Sequence, residues 1–381
     1  MVFLKYLRTL KKSFNRYTPS VEVLISKNNL LENLKEYKKQ YPRLSFAPVL
    51  KSNAYGHGIL QVAKILNKEN IAFFVLDSLF EAITLRNDGS KLPILIIGYT
   101  SPENINNSKL PNVAFTITGL EQLQQIARTI KSQKKFHLKI DTGMHRQGIL
   151  PEQINEAIKI IKTADRINLE GICSHFADAD DTDDSFTKMQ IARWEKAVVP
   201  FRQNFPKLKY FHISATTGIP YSKNIFTNVA RLGMGLYGIN SSPLTKLNLK
   251  PVLLMRSVIS SLKNIPAGEC VGYNITYKAS KPIRVATVPV GYFEGVDRRL
   301  SNRGFFKIAG HNCPIIGKIS MNMTSIDITS LPETKFGDDV TIISDIPDDL
   351  NSAEQMAKLS GITPYEILAR IPQHLRRTII E

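Results

Sequence analysis

The sequence predicts an α/β protein, a (β/α)8 barrel of the TIM type followed by a mostly-β C-terminal domain. Three observations predict it. Eight short apolar runs alternate with helical or turn-rich segments between Phe46 and Val229, the repeat of a parallel barrel. No GxGxxG follows the first run, so an open doubly wound sheet with a dinucleotide site is unsupported. From about Leu249 the spacing changes to short β-rich runs parted by Gly, Pro and Asp, which suits hairpins rather than βα units.

Taken in order, residues 1–18 read as a basic extension. Phe3, Leu7, Leu10 and Phe14 fall at helical spacing with Lys5, Arg8, Lys11, Lys12 and Arg16 between them. The apolar core and small-residue cleavage site of a signal peptide are missing, so a basic amphipathic helix is expected here. Residues 19–245 form the barrel unit. A helix is expected over 26–39, then strands at Phe46–Leu50, Ala72–Leu76, Ile94–Ile97, Val113–Ile117, Phe136–Ile140, Leu169–Cys173, Tyr210–Ile213 and Phe226–Val229. Helical patterns fill Ile59–Leu66, Leu79–Arg86, Leu120–Ile130, Ile154–Ile161 and Lys188–Val199, and the connections after Gly98 and Ser214 are the weakest. Residues 246–381 form the β-domain, with strands expected at Leu253–Leu262, Ile283–Val290, Phe305–Ile308, Ile315–Ile319, Thr324–Ile328 and Val340–Ile343. Helices at Ser352–Leu359 and Pro364–Ala369 close it.

Composition narrows the function classes. The formal charge of the 381-residue chain is +17, but the basic residues are scattered and no nucleic-acid motif accompanies them. We read a general field that favours anionic ligands, with no nucleic-acid partner. The three cysteines, Cys173, Cys270 and Cys313, are far apart and lack CxxC spacing, which argues for reduced thiols, no metal site and a cytoplasmic setting. No apolar run reaches the ~18 residues of a membrane span, so no stable membrane insertion is expected.

Polar residues gather where the strands end: Lys51, Asp77, Asp141, Arg146, His175, Ser214 and Arg231. In a barrel these rims converge on one mouth. A desolvated lysine there has a lowered pKa and can attack a carbonyl carbon. His137, Lys139 and Asp141 alternate along one strand and should share a face. A buried Lys139 then needs an acid partner or a covalent modification, and Asp141 alone reads equally as the start of an Asx turn. The acidic run from Asp178 to Asp184 lacks the glycine and glutamate of a calcium loop and reads as a solvated loop. Thr216, Thr217 and Gly218, followed by Arg231-Leu-Gly-Met-Gly, suit phosphate binding after the seventh and eighth strands. A reactive lysine opposite a phosphate site points to pyridoxal phosphate.

These residues lie in motifs that resemble the alanine racemases, which depend on pyridoxal phosphate and carry a C-terminal β-domain behind their barrel. The motifs are LKSNAYGHG at 50–58, LKIDTGMHRQG at 138–148, SHFADAD at 174–180, NVARLGMGLYG at 228–238, AGECVGY at 267–273, VPVGYFEG at 288–295 and GKISMNM at 317–323. They occur in the family's order from about Pro19 onward. The resemblance implies that Lys51 anchors the cofactor, with Tyr55, Tyr365, Thr216, Gly233 and Met234 around its phosphate. Arg146 would reach the cofactor's phenolic oxygen and the substrate carboxylate, and Arg231 the pyridine nitrogen. Lys139 resembles the lysine that the family often carries as a carbamate.

Lys51 would be the base on one face of the substrate and Tyr273 on the other, with His175 tuning the tyrosine. Tyr273 and Met321, a substrate contact, would come from the partner subunit of a head-to-tail homodimer. Ala215-Thr216 replaces the family's usual Asn-Ser, Asn322 its usual Asp after Met321, and Glu294 its usual Asp at that position. The implied function is interconversion of L- and D-alanine to supply peptidoglycan. A serine or broad-specificity amino-acid racemase is the alternative enzyme, and a PLP-binding regulatory protein the non-enzyme alternative.

Overall fold

In a computed structural model, residues 18–239, 242 and 244–381 are described. The helix expected around Phe3–Phe14 lies outside them. The described chain opens with strand β1 (Val21–Ser26) and helix α1 (Lys27–Gln40). Ser26 is the N-cap, its hydroxyl accepting from the Asn29 backbone N–H at 3.2 Å, so the helix starts one residue beyond the expected Ser26.

Eight parallel strands follow: β2 (Ser45–Pro48), β3 (Phe74–Leu76), β4 (Ile94–Ile96), β5 (Val113–Ile117), β6 (Lys134–Lys139), β7 (Ile167–Cys173), β8 (Tyr210–His212) and β9 (Val229–Leu232). Strands β3 to β8 pair in sequence order. β2 pairs with β9, and single bridges at Val49–Val75 and Ala215–Arg231 join the two sheets. The eight strands therefore close into a barrel. Helices α2 (Ile59–Leu66), α3 (Leu79–Asn87), α4 (Pro102–Asn107), α5 (Leu120–Thr129), α6 (Ile154–Thr163) and α7 (Ser185–Asn204) fill the crossovers.

The alternation of strand residues builds two cores. Ala47, Val49, Phe73, Val75, Leu95, Ala114 and Val229 form a small cluster of their own inside the barrel. The intervening residues, such as Phe46, Phe74, Ile94 and Phe115, join the larger core under the helices. On α5 and α6 the buried positions recur at helical spacing, with Leu123 and Ile126 on one and Ile158 and Ile161 on the other.

The eighth strand lies three residues beyond the expected Phe226–Val229. Phe226 is partly exposed under the Arg202 guanidinium, and the ladder begins at Val229. A fully buried arginine, Arg231, sits inside that strand, and its charge disguises an otherwise apolar run.

The second domain differs more. The expected strand at Leu253–Leu262 is two strands, β10 (Leu253–Val258) and β11 (Ser261–Ile265), which enter different sheets. Ile315–Ile319 is not a strand. The polar segment β16 (His311–Pro314) instead hairpins onto β15 (Phe305–Ile308) through Ala309-Gly310, both at positive φ. The remaining strands are β12 (Cys270–Val271), β13 (Tyr277–Lys278), β14 (Ile283–Val288), β17 (Thr324–Asp327) and β18 (Asp339–Ile343). Helices α8 (Ala353–Ser360) and α9 (Pro364–Ala369) precede a last strand, β19 (Arg376–Ile380). β1 lies between β10 and β19, so residues N-terminal to the barrel complete the sheet of the C-terminal half. Among the described residues no helix is long and apolar enough to cross a membrane.

Candidate active site

Lys51 stands where β2 ends, at the start of a turn that ordinary residues resist. Ser52, Asn53, Ala54 and Tyr55 all have φ between 52° and 56°, a left-handed turn that costs about 1–2 kcal/mol per non-glycine residue. The surroundings over-determine it. The Ser52 N–H donates to Glu81 at 2.6 Å, Asn53 Oδ1 accepts from the Ile59 N–H at 2.9 Å, and the Ala54 N–H donates to the Leu50 carbonyl at 2.8 Å. From the other domain Arg377 donates to the Gly56 carbonyl at 2.8 Å. His57 stacks on Tyr237 at 4.3 Å, and burial holds its pKa down to about 4. Strain stored this way is a mark of functional turns, and here it fixes Lys51 and Tyr55 toward the barrel mouth.

The mouth encloses a cavity of about 510 Å³ lined by Lys51, Tyr55, Lys139, Arg146, His175, Thr216, Arg231, Gly233, Met234 and Tyr365, among others. Ten of the twelve residues to which the resemblance assigns a role therefore meet in one place. Lys51, Lys139, Arg146 and Arg231 bring four cations to the lining, against the single carboxylate of Asp180. Such a field favours a multiply charged anion.

At one end the Thr216 hydroxyl accepts from the Gly233 and Gly235 N–H groups at 3.1 and 3.4 Å, leaving its proton to donate. A Cβ at Gly233 would stand 3.1 Å from Tyr55 Oη, so the close approach of these groups depends on glycine. The Tyr55 ring packs between Tyr237 and Tyr365 at 5.4 and 5.9 Å.

At the other end Arg231 is held on several sides. One terminal nitrogen donates to His212 Nδ1 at 2.6 Å and to the His212 carbonyl at 3.0 Å. The other donates to the carbonyls of Ser174 and Ile213, both at 2.8 Å, and to His175 Nδ1 at 3.0 Å. Both imidazoles accept through Nδ1 and are neutral. Burial first, then the Arg231 charge, hold His212 and His175 well below the ordinary histidine range, and Lys139, Arg146 and Lys51 add to the effect at His175. His212 Nε2 in turn meets His137 Nδ1 at 2.8 Å.

Lys139 donates to Gln147 Oε1 at 3.3 Å. Burial lowers its pKa, the Arg231 and Arg146 charges push the same way, and Cys173 and Asp141 oppose them. His137 and Lys139 do share the barrel interior. Asp141 instead forms the Asx turn, accepting from the Gly143 and His145 N–H groups at 2.8 and 3.1 Å, and it places the loop that carries Arg146. Asp77 packs against Gly98, Ser214 bonds Ser222 at 2.7 Å, and neither lines the cavity. Among the described residues no group of His, Cys, Asp and Glu is placed to hold a metal ion. His212 and Cys173 are cavity residues that the sequence did not single out. A histidine inside the apolar run Tyr210–Ile213 was the available signal for the first.

Tyr273 and Met321 stand elsewhere. They are 65% and 54% exposed on turns of the C-terminal domain and do not line the cavity of their own chain.

A lysine between hydroxyls at one end and a guanidinium at the other, in a cavity where cations outnumber acids, marks a two-domain barrel protein whose mouth suits an anion. The family models for the alanine racemase N-terminal and C-terminal domains match residues 25–241 and 252–379. The chain belongs to the alanine racemase family, and is thus an amino-acid isomerase. It is 33% identical over 362 residues to the alanine racemase of Carboxydothermus hydrogenoformans, covering 93% of this chain and 98% of the relative. The solved alanine racemase of Clostridium difficile 630 superposes with a TM-score of 0.88 at 30% identity, covering 96% and 97% of the two chains. That of Bacillus anthracis, solved with bound L-Ala-P, also gives 0.88, at 27% identity and 96% coverage of each.

Proposed function

We propose that this protein interconverts L- and D-alanine with pyridoxal 5'-phosphate, by proton transfer between Cα and two bases, Lys51 and the Tyr273 of a second copy. A single observation carries the reading. Every residue needed to hold the cofactor and one face of the substrate lines one cavity, while Tyr273 stands exposed outside it. The site is completed only by a homodimer in which each copy lends its tyrosine to the other.

The cavity fits the cofactor. Its hydroxyl-lined end, made of Tyr55, Thr216 and Tyr365 around the unsubstituted Cα of Gly233, suits a phosphate, and its surplus of cations suits a dianion. Bound there, pyridoxal phosphate acidifies the Cα–H of an attached amino acid. Arg231, which can only donate, would hold the cofactor's pyridine nitrogen as an acceptor. Charge developing at Cα then remains near Cα, where a returning proton finds it, which favours racemisation over transamination.

Lys51 would anchor the cofactor through its amine, and the same amine would hold or move a proton at one face of Cα. Tyr273 does the same at the other face, with His175 tuning it. Arg146 binds the substrate carboxylate together with Met321 of the second copy. Lys139 is the position at which a carbamate, if its amine adds carbon dioxide, would hold the Arg146 guanidinium. We assign the protein to the cytoplasm and its D-alanine to peptidoglycan, the reading that the reduced cysteines and the reaction support.

A chirality-resolved assay of the purified protein with added pyridoxal phosphate tests this. L-alanine should yield D-alanine with a higher kcat/KM than L-serine or L-lysine yields its enantiomer. Alanine as the poorest of the three would transfer the assignment to a serine or broad-specificity racemase.

A further inference from the structure

We propose that Glu294 is a positioning residue that fixes the turn carrying Met321, and that it requires an amide, not an acid, at Asn322. The inference rests on the racemase reading only for its kinetic consequence.

The two turns concerned, Tyr292–Glu294 and Ser320–Met323, are sewn together from behind. The Glu294 side chain is 8% exposed. One of its oxygens accepts from the Gly291 N–H at 2.8 Å and the other from the Asn322 amide at 2.7 Å. A carboxylate can only accept and an amide NH₂ can only donate, so the chemistry settles which way Asn322 points. The backbones lace the same way, Tyr292 N–H donating to the Ser320 carbonyl at 3.1 Å and Phe293 N–H to that of Met321 at 2.9 Å. A Cβ at Gly291 would stand 2.2 and 2.4 Å from those two carbonyl oxygens. No other side chain permits the approach.

In front, the same two turns display Tyr292, Phe293, Met321 and Met323, all exposed. A buried carboxylate is thus a fixed point behind this apolar face. Charge-assisted bonds to a desolvated acid are the strong kind, and leaving one partner unmet is costly. An acid at 322 would set two carboxylates at hydrogen-bonding distance, where both cannot ionise. The acid at 294 and the amide at 322 therefore read as a matched pair. On the racemase reading, Glu294 sets where Met321 meets the other copy's substrate, while Lys51 and Tyr273 lie on other turns.

The test is a swap. Asn322→Asp should raise KM for L-alanine about tenfold with kcat changed less than threefold, the signature of misplaced binding. Glu294→Gln/Asn322→Asp, in which the new amide donates to the new acid, should bring KM back within about twofold. A second readout is independent of turnover. Hydrogen exchange of the peptides spanning 289–296 and 318–324 in the full-length protein should quicken in Asn322→Asp and slow again in the swap. An unchanged exchange rate and KM in Asn322→Asp, or a swap that restores neither, would overturn the proposal. If the unsubstituted protein fails to racemise alanine, the racemase reading falls by itself, and the exchange experiment still decides the role of Glu294.

Discussion

The His212 ring accepts from Arg231 through Nδ1 at 2.6 Å and meets His137 Nδ1 through Nε2 at 2.8 Å. Because a guanidinium never accepts, His212 carries its proton on Nε2 and donates it to His137. Both rings are neutral, and the Arg231 charge rests on this neutral column.

This column makes stability depend on pH. Burial and the Arg231 charge push His137 down to about 3 and His212 well below the ordinary range, while burial takes His57 down to about 4. The unfolded chain therefore binds more protons than the folded one once pH drops below an ordinary histidine's pKa of about 6.5, and stability rises with pH across that window. Urea melts at pH 7 and pH 5 should show a loss on acidification. His137→Leu should reduce that slope by up to about 1.4 kcal/mol per pH unit, one proton's worth. An unchanged slope would mean that His137 is charged in the folded protein.

Lys139 offers a second measurement. Its lowered pKa leaves more neutral amine, the form that adds carbon dioxide, and Arg231 and Arg146 stand ready to favour an anion there. Protein equilibrated with ¹³C-bicarbonate should show a carbamate carbon resonance that is missing from Lys139→Arg. The same variant should lose about tenfold in kcat/KM, the loss of one charge-assisted contact of roughly 1.4 kcal/mol. A spectrum without that resonance would leave Gln147 as the sole polar partner that the Lys139 amine is seen to have.

The barrel was legible in the sequence because its strands are short, nearly continuous apolar runs and helices such as α5 and α6 carry an apolar face at helical spacing, and local pattern settles both. The mouth was legible because its residues stand at strand ends. What escaped was set by distant parts of the chain. β1 and β19 flank one another only through a sheet that joins the two ends of the described chain, and neither end announces its partner. The eighth strand was misplaced because Arg231, polar by composition, is satisfied by carbonyls and imidazoles that only the closed barrel supplies. Asp141 follows His137 and Lys139 at the same alternate spacing, yet it turns back to its own backbone.

The left-handed turn after Lys51 gives a stability prediction. At Gly56, where φ is +85°, a Cβ would lie 1.9 Å from the Leu368 carbonyl oxygen, backbone against backbone across the two halves of the molecule. Neither side has a flexible end that could yield. Gly56→Ala should cost about 2–4 kcal/mol in denaturant melts and weaken retention of pyridoxal phosphate. Gly310→Ala, also at positive φ but in open space, should cost about 1 kcal/mol and leave the cofactor bound. Equal effects would show that strain alone, rather than the contact with Leu368, governs the turn.

Complementation decides whether the site is shared. Lys51→Ala removes the cofactor's anchor, and Tyr273→Phe removes the base that stands exposed outside the cavity. Each variant alone should be inactive or nearly so. If the cavity of one copy is completed by the tyrosine of the other, a mixed dimer holds one site with both residues intact and one with neither. Random reassociation of equal amounts makes half the dimers mixed, so activity should recover to about a quarter of the unsubstituted protein's. If Tyr273 served its own chain, no site in any dimer would hold both residues. Mixing would then recover nothing, and the two-copy site would be wrong.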